Sequence, residues 1–257
     1  MVVFFFFYLI STQITLSQVL LQNHLASNKI EACLLLTRMG TMLFTFLYII
    51  SFFGVNPYSC YYKALLSNAA TSALRLHQRL PRVELSQNFL ARLLLEDSLH
   101  YLGYSIIFLS CQPFTSLDNH VVLFPVFLFA LLHTLTGVSV LTEKMGVDNS
   151  GLLRFVEREQ RKILKLVSYM EIFLMPLVIL MTFQGKCSLV TPFFYYQFLA
   201  SRYASRRNPY TRTAFQELRL KVERIANQPT CPALLSKLLH SMVRIVSRLS
   251  PVQYPPS

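Results

Sequence analysis

Residues 121–142, VVLFPVFLFALLHTLTGVSVLT, form a run of 22 residues without a fully charged side chain. A helix of this length spans about 33 Å, enough to cross the roughly 30 Å hydrocarbon core of a bilayer. His133 is the only titratable residue in the run, and a packing role is favoured for it over a role as a ligand. The run therefore predicts a transmembrane helix.

The composition of the whole chain agrees with this prediction. Hydrophobic residues make up 53% of the 257 residues, charged residues only 14%, and the mean hydropathy is +0.44. Soluble domains contain about 25% charged residues. We therefore expect an all-α fold, a multi-span integral membrane protein with hydrophobic hairpins and cytosolic amphipathic helices.

Other apolar segments flank this run on both sides. Residues 98–117 precede it across a short polar turn, so the two segments are expected to form a hairpin. The remaining candidates for membrane segments are residues 34–55, 166–183 and 187–201. The last two are short, and they could be two spans or one hairpin that does not cross. The sequence thus leaves open five crossings, or three spans with shallow hairpins.

The two ends of the predicted membrane domain, residues 28–201, pose separate questions. Residues 1–27 are an apolar N-terminal segment, for which a signal peptide, an uncleaved membrane segment and an atypical start remain alternatives. Arg38 lies near one end of the first span, where its long side chain is expected to reach the headgroups.

The basic residues are distributed unevenly along the chain. Residues 58–97 and 143–165 are predicted helical loops, and with the tail, residues 202–257, they hold 21 of the 24 Lys and Arg residues. If both hairpins turn on the opposite side, the positive-inside rule places these three regions in the cytosol.

The tail starts with residues 202–215, RYASRRNPYTRTAF. Basic residues interleaved with aromatic ones can bind nucleic acid, but directly after a membrane segment they more simply mark the lipid border, so no nucleic acid partner is expected. A solvated basic linker is the alternative. Residues 232–250 are predicted to form an amphipathic helix. The candidate contacts to lipid phosphates are Arg202, Arg206, Arg207, Arg212, Lys237, Arg244 and Arg248.

Few residues of the sequence are candidates for a catalytic, ion-conducting or metal-binding site. Glu171 is the candidate intramembrane ionisable residue, and an interfacial or helix-packing carboxylate is favoured over an ion path. Glu96, Asp97 and His100 could suggest a metal or acid–base cluster, but acids in a helix entry are favoured. No catalytic residue, metal site or cofactor is predicted. For the cysteines expected toward the lumen, Cys33, Cys111 and Cys187, free buried thiols are favoured over a disulfide.

Several blocks resemble one known family. They are ALRLHQRLP at residues 73–81, LLLEDSLHY at 93–101, EIFLMP at 171–176 and YYQFLASRYASRRNPYTRTAFQELR at 195–219. In this order they closely resemble the transmembrane protein 33 family, which includes pore-membrane and reticulon-interacting proteins of the endoplasmic reticulum. The resemblance extends from about residue 60 to residue 248, and the apolar start departs from the family's usual polar one.

The resemblance implies a multi-pass protein of the endoplasmic reticulum membrane and nuclear envelope, without enzyme activity. Its implied partners, besides the lipid bilayer, are reticulon-type shaping proteins and nuclear pore components. The implied function is to help organise the tubular membrane network and the distribution of nuclear pores. A channel or transporter subunit, or a regulator of endoplasmic reticulum stress or calcium signalling, is the alternative. The family is commonly drawn with three spans.

Overall fold

The computed structural model describes residues 29–50, 56–80, 86–111, 116–144, 150–205 and 208–249. These ranges contain α-helices and no strand. The apolar segment 1–27 lies outside the described residues, and so do Arg206 and Arg207. The helices are α1 (Lys29–Ile50), α2 (Pro57–Arg79), α3 (Gln87–Leu94), α4 (Asp97–Leu109), α5 (Ser116–Lys144), α6 (Ser150–Phe183), α7 (Thr191–Ala204), α8 (Tyr210–Ala226) and α9 (Ala233–Leu249).

Helices α1 and α2 run antiparallel along each other. Near the end of α1, the Tyr48 ring lies 6.2 Å from the ring of Tyr61, which is near the start of α2. Closer to the start of α1, Thr37 accepts a 2.8 Å hydrogen bond from Thr71, farther along α2. Small side chains allow this close approach, since a Cβ atom added at Gly40 would lie 3.3 Å from the Ser67 hydroxyl.

Helices α4 and α7 are also antiparallel. The Tyr104 and Tyr195 rings lie 6.3 Å apart, and Arg202 at the end of α7 contacts Asp97 at the start of α4. The main helices therefore alternate in direction through the bundle, and chemically different residues collect at its two ends.

We call one end the disulfide end, because a disulfide between Cys111 and Cys187 joins the turn after α4 to the turn after α6. The Tyr48 and His120 rings lie 5.1 Å apart at this end. The preference for free thiols was wrong for Cys111 and Cys187, because the fold brings the two turns together. Cys33 is a free, exposed cysteine.

We call the other end the arginine end, because Arg38, Arg75, Arg79 and Arg202 lie there. Arg79 contacts Glu96 at 2.6 Å, and Arg75 and Arg38 both contact His133. The expectation that the Arg38 side chain extends outward to the membrane surface was wrong: only 8% of the residue is exposed, and the side chain is directed into the bundle, toward His133.

Within the described part of the chain, three helical segments are long and apolar enough to cross a membrane: Lys29–Ile50, His120–Val140 and Arg154–Phe183. The other two predicted membrane segments form shorter helices, with 13 residues in α4 and 14 in α7. Such helices are about 20 Å long, less than the hydrocarbon thickness. The fold is that of an all-α membrane protein.

The position of α2 differs from the sequence-based prediction. Residues 58–97 were expected to form one loop on a single side of the membrane. Instead, α2 starts at the disulfide end, where Tyr61 lies beside Tyr48, and returns to the arginine end, where Arg79 lies. The polar residues of α2 made the sequence look like that of a surface helix. In the bundle one of them, Asn68, is buried and donates to Ser105 of α4 at 2.8 Å.

Candidate functional site: a buried arginine network and an exposed tail helix

Arg202 lies in the interior of the bundle, at the arginine end of α7. Its side chain has no exposed surface, and its Nε donates to Glu171 Oε2 at 3.2 Å. Its Nη1 donates to Asp97 Oδ1, also at 3.2 Å. The arginine therefore ties α7 to both α6 and α4, and two carboxylates surround its charge.

Aromatic side chains complete the surroundings of the guanidinium. Its carbon atom lies 5.1 Å from the ring centre of Tyr101 and 5.7 Å from that of Phe129. Arginine stacks favourably on aromatic faces, and the attraction is larger where water is excluded. The cation is thus stabilised by π electrons as well as by carboxylates.

Glu171 is as buried as its partner. The hydroxyl of Tyr101 donates to Glu171 Oε1, and that of Tyr195 donates to the Glu171 backbone carbonyl at 2.8 Å. Both carboxylate oxygens therefore have partners. This is a closed helix-packing arrangement, in which Glu171 contacts neighbouring helices and does not line an open path.

In the basic stretch that runs from the end of α7 to the start of α8, every third residue is buried. The buried positions are Arg202, Ser205, Asn208, Thr211 and Ala214. Ser205 donates to Asp97 Oδ1 at 3.0 Å and accepts a 3.3 Å hydrogen bond from the backbone N–H of Asn208. The stretch is therefore a structural corner that fixes the start of α8 against the bundle.

The basic residues that were predicted to contact lipid differ in their exposure and in their contacts. The prediction for Arg202 was wrong, because nearby carboxylates hold it in the interior. Arg212 is half-buried and donates to the Ser205 carbonyl at 3.2 Å. Arg206 and Arg207 lie outside the described residues. The tail cations, Lys237, Arg244 and Arg248, are exposed on α9, and their contact with lipid stays a prediction.

Helix α8 is docked on α6 by a second, more exposed set of contacts. Lys165 donates to Glu217 Oε1 at 2.6 Å, and the hydroxyl of Tyr169 donates to Glu217 Oε2. These two hydrogen bonds, first that from Lys165, lower the pKa of Glu217 below its ordinary value. Ser168 and Thr211 lie within 3.4 Å of each other deeper in the same contact.

Helix α9 packs against α8 and presents large apolar side chains to the outside. The exposed ones are Leu234, Leu235, Leu238, Met242, Ile245 and Val246. On the opposite side, Arg219 of α8 lines a shallow groove with Arg244, Arg248 and His240 of α9. This helix therefore combines an uncovered apolar face with a basic groove.

The acidic residues at the start of α4 act as packing partners. Glu96 pairs with Arg79, Asp97 with Arg202, and the Nε2 of His100 lies 2.7 Å from the Leu94 carbonyl, to which it donates. No group of three or more metal-ligating side chains occurs within the described residues.

Sequence reasoning missed the residues that complete the buried network, Asp97, Tyr101 and Ser205. One signal was available. A carboxylate such as Glu171 in an apolar run needs a partner, and the nearest arginine beyond the next apolar segment is Arg202. The period of three in residues 202–214 is a pattern of burial that crosses from the end of α7 to the start of α8, so the sequence alone did not show it.

Comparison of the sequence with known proteins identifies one family. A sequence model described as transmembrane protein 33/nucleoporin POM33 matches residues 13–252. Human transmembrane protein 33 is 45% identical over 230 residues, covering 88% of this chain and 91% of the relative. Krueppel homolog 2 of Drosophila melanogaster is 39% identical over 239 residues, covering 91% of this chain and 84% of the relative.

A more distant animal relative gives the same result. The transmembrane protein 33 homolog of Caenorhabditis elegans is 37% identical over 236 residues, covering 90% of this chain and 85% of the relative. No solved structure gives a significant match. With a family match over most of its length, the chain belongs to the transmembrane protein 33/nucleoporin POM33 family.

Proposed function

We propose that this protein is a non-enzymatic organiser of the endoplasmic reticulum membrane and the nuclear envelope. In this proposal the bundle anchors the chain, and α9 binds the cytosolic leaflet as an amphipathic helix. The family description includes a nucleoporin, which supports a place in the nuclear pore membrane. Reticulon-type shaping proteins and nuclear pore components are the proposed partners.

The observation that carries the proposal is the uncovered apolar face of α9. Leu234 is 78% exposed, Leu238 62% and Met242 61%. Leaving such side chains in water forgoes about 1.5–3 kcal/mol each. A helix with this face and a basic opposite face is typical of segments that lie in the membrane interface.

The charges of α9 favour binding of this helix to an anionic membrane surface. Lys237, Arg244 and Arg248 are exposed, and no acidic residue occurs within α9. Each basic residue near an anionic leaflet contributes about 1 kcal/mol, and less at high salt. Burial of the leucines therefore contributes more than the charges do.

The arginine end and the disulfide end both favour the same orientation of the bundle across the membrane. Arginines at one end suit the cytosolic side by the positive-inside rule. The Cys111–Cys187 disulfide at the other end suits the lumen, because disulfides form in oxidising compartments and are rare in the cytosol. The orientation brings α9 to the cytosolic leaflet.

An ion path through the bundle would need a polar residue free to take up and release an ion. Glu171, the candidate for that role, is enclosed by Arg202 and Tyr101. We therefore favour membrane organisation over the channel alternative.

The test is to image endoplasmic reticulum shape and nuclear pore distribution after depletion of the protein, followed by rescue. We expect full rescue by the unchanged chain and none by a chain carrying Leu238→Glu with Met242→Glu. Ser236→Glu with Ser241→Glu adds the same two charges on the polar face and should retain most of the rescue. Equal rescue by both double variants would contradict the role of the apolar face.

A further inference from the structure

A second group of arginines lines a partly open cavity at the arginine end. The cavity has a volume of about 220 Å³ and lies among α1, α2, α5, α6, the start of α4 and the segment before α8. Its lining includes Arg38, Arg75, Arg79 and His133. The side chains of Asn68, Thr71 and Ser72 and the carboxylate of Asp97 also line it, so three arginines face a polar surface that contains one acid.

Arg38 is the deepest of these cations, with 8% of the residue exposed. Its Nη1 donates to the His133 carbonyl at 3.3 Å, but its buried Nε has no hydrogen-bond partner among the residues that the structure describes. A buried guanidinium with an unused donor is costly, because the donor loses its water without a replacement.

Arg75 is held by the same histidine. Its Nη1 lies 3.2 Å from His133 Nε2, and its Nη2 lies 3.5 Å from His133 Nδ1. Arginine can only donate, so one ring nitrogen accepts and the imidazole is neutral. Neither Arg38 nor Arg75 forms an ion pair with a carboxylate among the described residues, so this histidine organises the two cations without neutralising them.

The nearby acids are engaged elsewhere. Glu96 is 2.6 Å from Arg79, and Asp97, which lines the cavity, accepts from Arg202 and Ser205. Among the described residues, two positive charges therefore remain without a carboxylate partner around a space large enough for about seven water molecules at roughly 30 Å³ each. An anion in the cavity would offset the repulsion and use the free Nε donor.

We propose that this cavity binds a phosphate monoester group, supplied by the headgroup of an anionic lipid or by free phosphate. Planar guanidinium groups bind phosphate through paired hydrogen bonds. The cavity is smaller than the roughly 300–1,000 Å³ of pockets for drug-sized ligands, which suits a single phosphate group. Its position at the arginine end places it near headgroup level in the proposed orientation.

The first arm of the test uses inorganic phosphate. The full-length protein, purified in an uncharged detergent, is heated with phosphate or with chloride at equal ionic strength. We compare the unchanged chain with Arg75→Gln and with Arg224→Gln, which removes one exposed charge from α8. Binding of free phosphate predicts a higher melting temperature for the unchanged chain and Arg224→Gln, and a shift at least halved for Arg75→Gln.

The second arm identifies a lipid source. The protein is placed in phosphatidylcholine nanodiscs containing either phosphatidic acid, which carries a phosphate monoester, or phosphatidylserine, which carries a diester. Lipid retained by the protein is counted by native mass spectrometry. A lipid headgroup site predicts retention of phosphatidic acid over phosphatidylserine, with apparent affinity at least tenfold weaker in Arg75→Gln and unchanged in Arg224→Gln.

A response in either arm that depends on Arg75 supports the proposal and identifies the source. No response in both arms, or equal responses from Arg75→Gln and Arg224→Gln, would overturn it. Arg75→Gln should also be at least as stable as the unchanged chain without phosphate, because it removes charge repulsion; a large loss of stability there would assign Arg75 a structural role instead. None of the residues that line the cavity belongs to α9, so variants of α9 should leave the binding unchanged.

Discussion

The disulfide end and the arginine end of the bundle are stabilised by opposite kinds of chemistry. The disulfide end packs aromatic rings such as Tyr104, Phe108 and Tyr195 around a covalent bond. The arginine end buries ions, and the outcome there differs between arginines: Arg202 is neutralised by two carboxylates, whereas Arg38 and Arg75 contact a neutral histidine. A count of basic residues thus predicts which side of a membrane they prefer, but not whether they face lipid.

The largest effect is expected from breaking the ion network. Glu171→Gln would leave Arg202 buried with a single carboxylate, and removing one member of a buried ion pair costs about 3–5 kcal/mol. The free energy of unfolding should be measured in detergent micelles by denaturant titration. Glu157→Gln, which removes an exposed acid from the same helix, is the control and should change stability little.

A double variant sharpens this prediction. Arg202→Met combined with Glu171→Gln removes both fully buried charges and leaves Asp97, whose side chain is 25% exposed and can be hydrated. The double variant should therefore recover part of the lost stability. A Glu171→Gln protein as stable as Glu157→Gln would mean that the network contributes nothing.

The disulfide end should be the next most sensitive. Replacing both Cys111 and Cys187 with serine opens a loop spanning 76 residues, and losing such a crosslink typically costs about 2–4 kcal/mol. Thermal unfolding with and without reductant measures the effect. Cys33→Ser, at a free and exposed cysteine, provides the control; a reductant effect that persists in the serine double variant would contradict the assignment.

A single substitution in the tail helix α9 should have a smaller effect, measured as a loss of free energy of vesicle binding. A peptide of residues 232–250 is expected to be disordered in buffer and helical on anionic vesicles. Leu238→Glu should weaken vesicle binding by at least about 1.5–3 kcal/mol, the value of burying a leucine, whereas Ser241→Glu should weaken it less. Circular dichroism and vesicle co-sedimentation are the measurements. A peptide that ignores vesicles at low salt would identify α9 as a protein-docking helix.

The smallest effect is expected where α8 docks on α6. The pKa of Glu217 is lowered in the folded protein, so its contribution is present above the pKa of the unfolded chain and is lost as pH falls through the lower, folded pKa. Glu217→Gln should therefore increase hydrogen exchange in α8 at pH 7. The difference from the unchanged chain should shrink in acid.

The matched control for this prediction lies on the same helix. Glu223 pairs with Arg219 within α8 at 2.8 Å, so Glu223→Gln removes the same charge without touching α6. Equal exchange in the two variants would show that Glu217 does not hold the helices together.

The sequence predicted the helical membrane class well, because long uncharged runs such as residues 121–142 have few other structural solutions. It predicted α9 almost to its ends, because Pro232 and a regular apolar pattern mark that helix. It failed where contacts join residues distant in the chain. The Cys111–Cys187 disulfide and the Arg202–Glu171 pair depend on which turns and helices become neighbours.

The return of α2 was missed for a related reason. Its polar residues, including Asn68 and Arg75, are typical of a surface helix when the sequence is considered alone. In the bundle they instead bind other buried polar groups, Ser105 and His133. Local hydropathy cannot distinguish a polar face that meets water from one that meets a polar partner.

The central claim, that the two ends of the bundle face opposite compartments, is tested most directly by labelling with a membrane-impermeant maleimide. In a chain with Cys33 and Cys231 changed to serine, single cysteines are introduced at Gln184 near the disulfide end and at Arg158 near the start of α6, both exposed positions. In intact microsomes, Arg158→Cys should be labelled and Gln184→Cys only after permeabilisation. Labelling of both in intact microsomes, or of Gln184→Cys alone, would contradict the account.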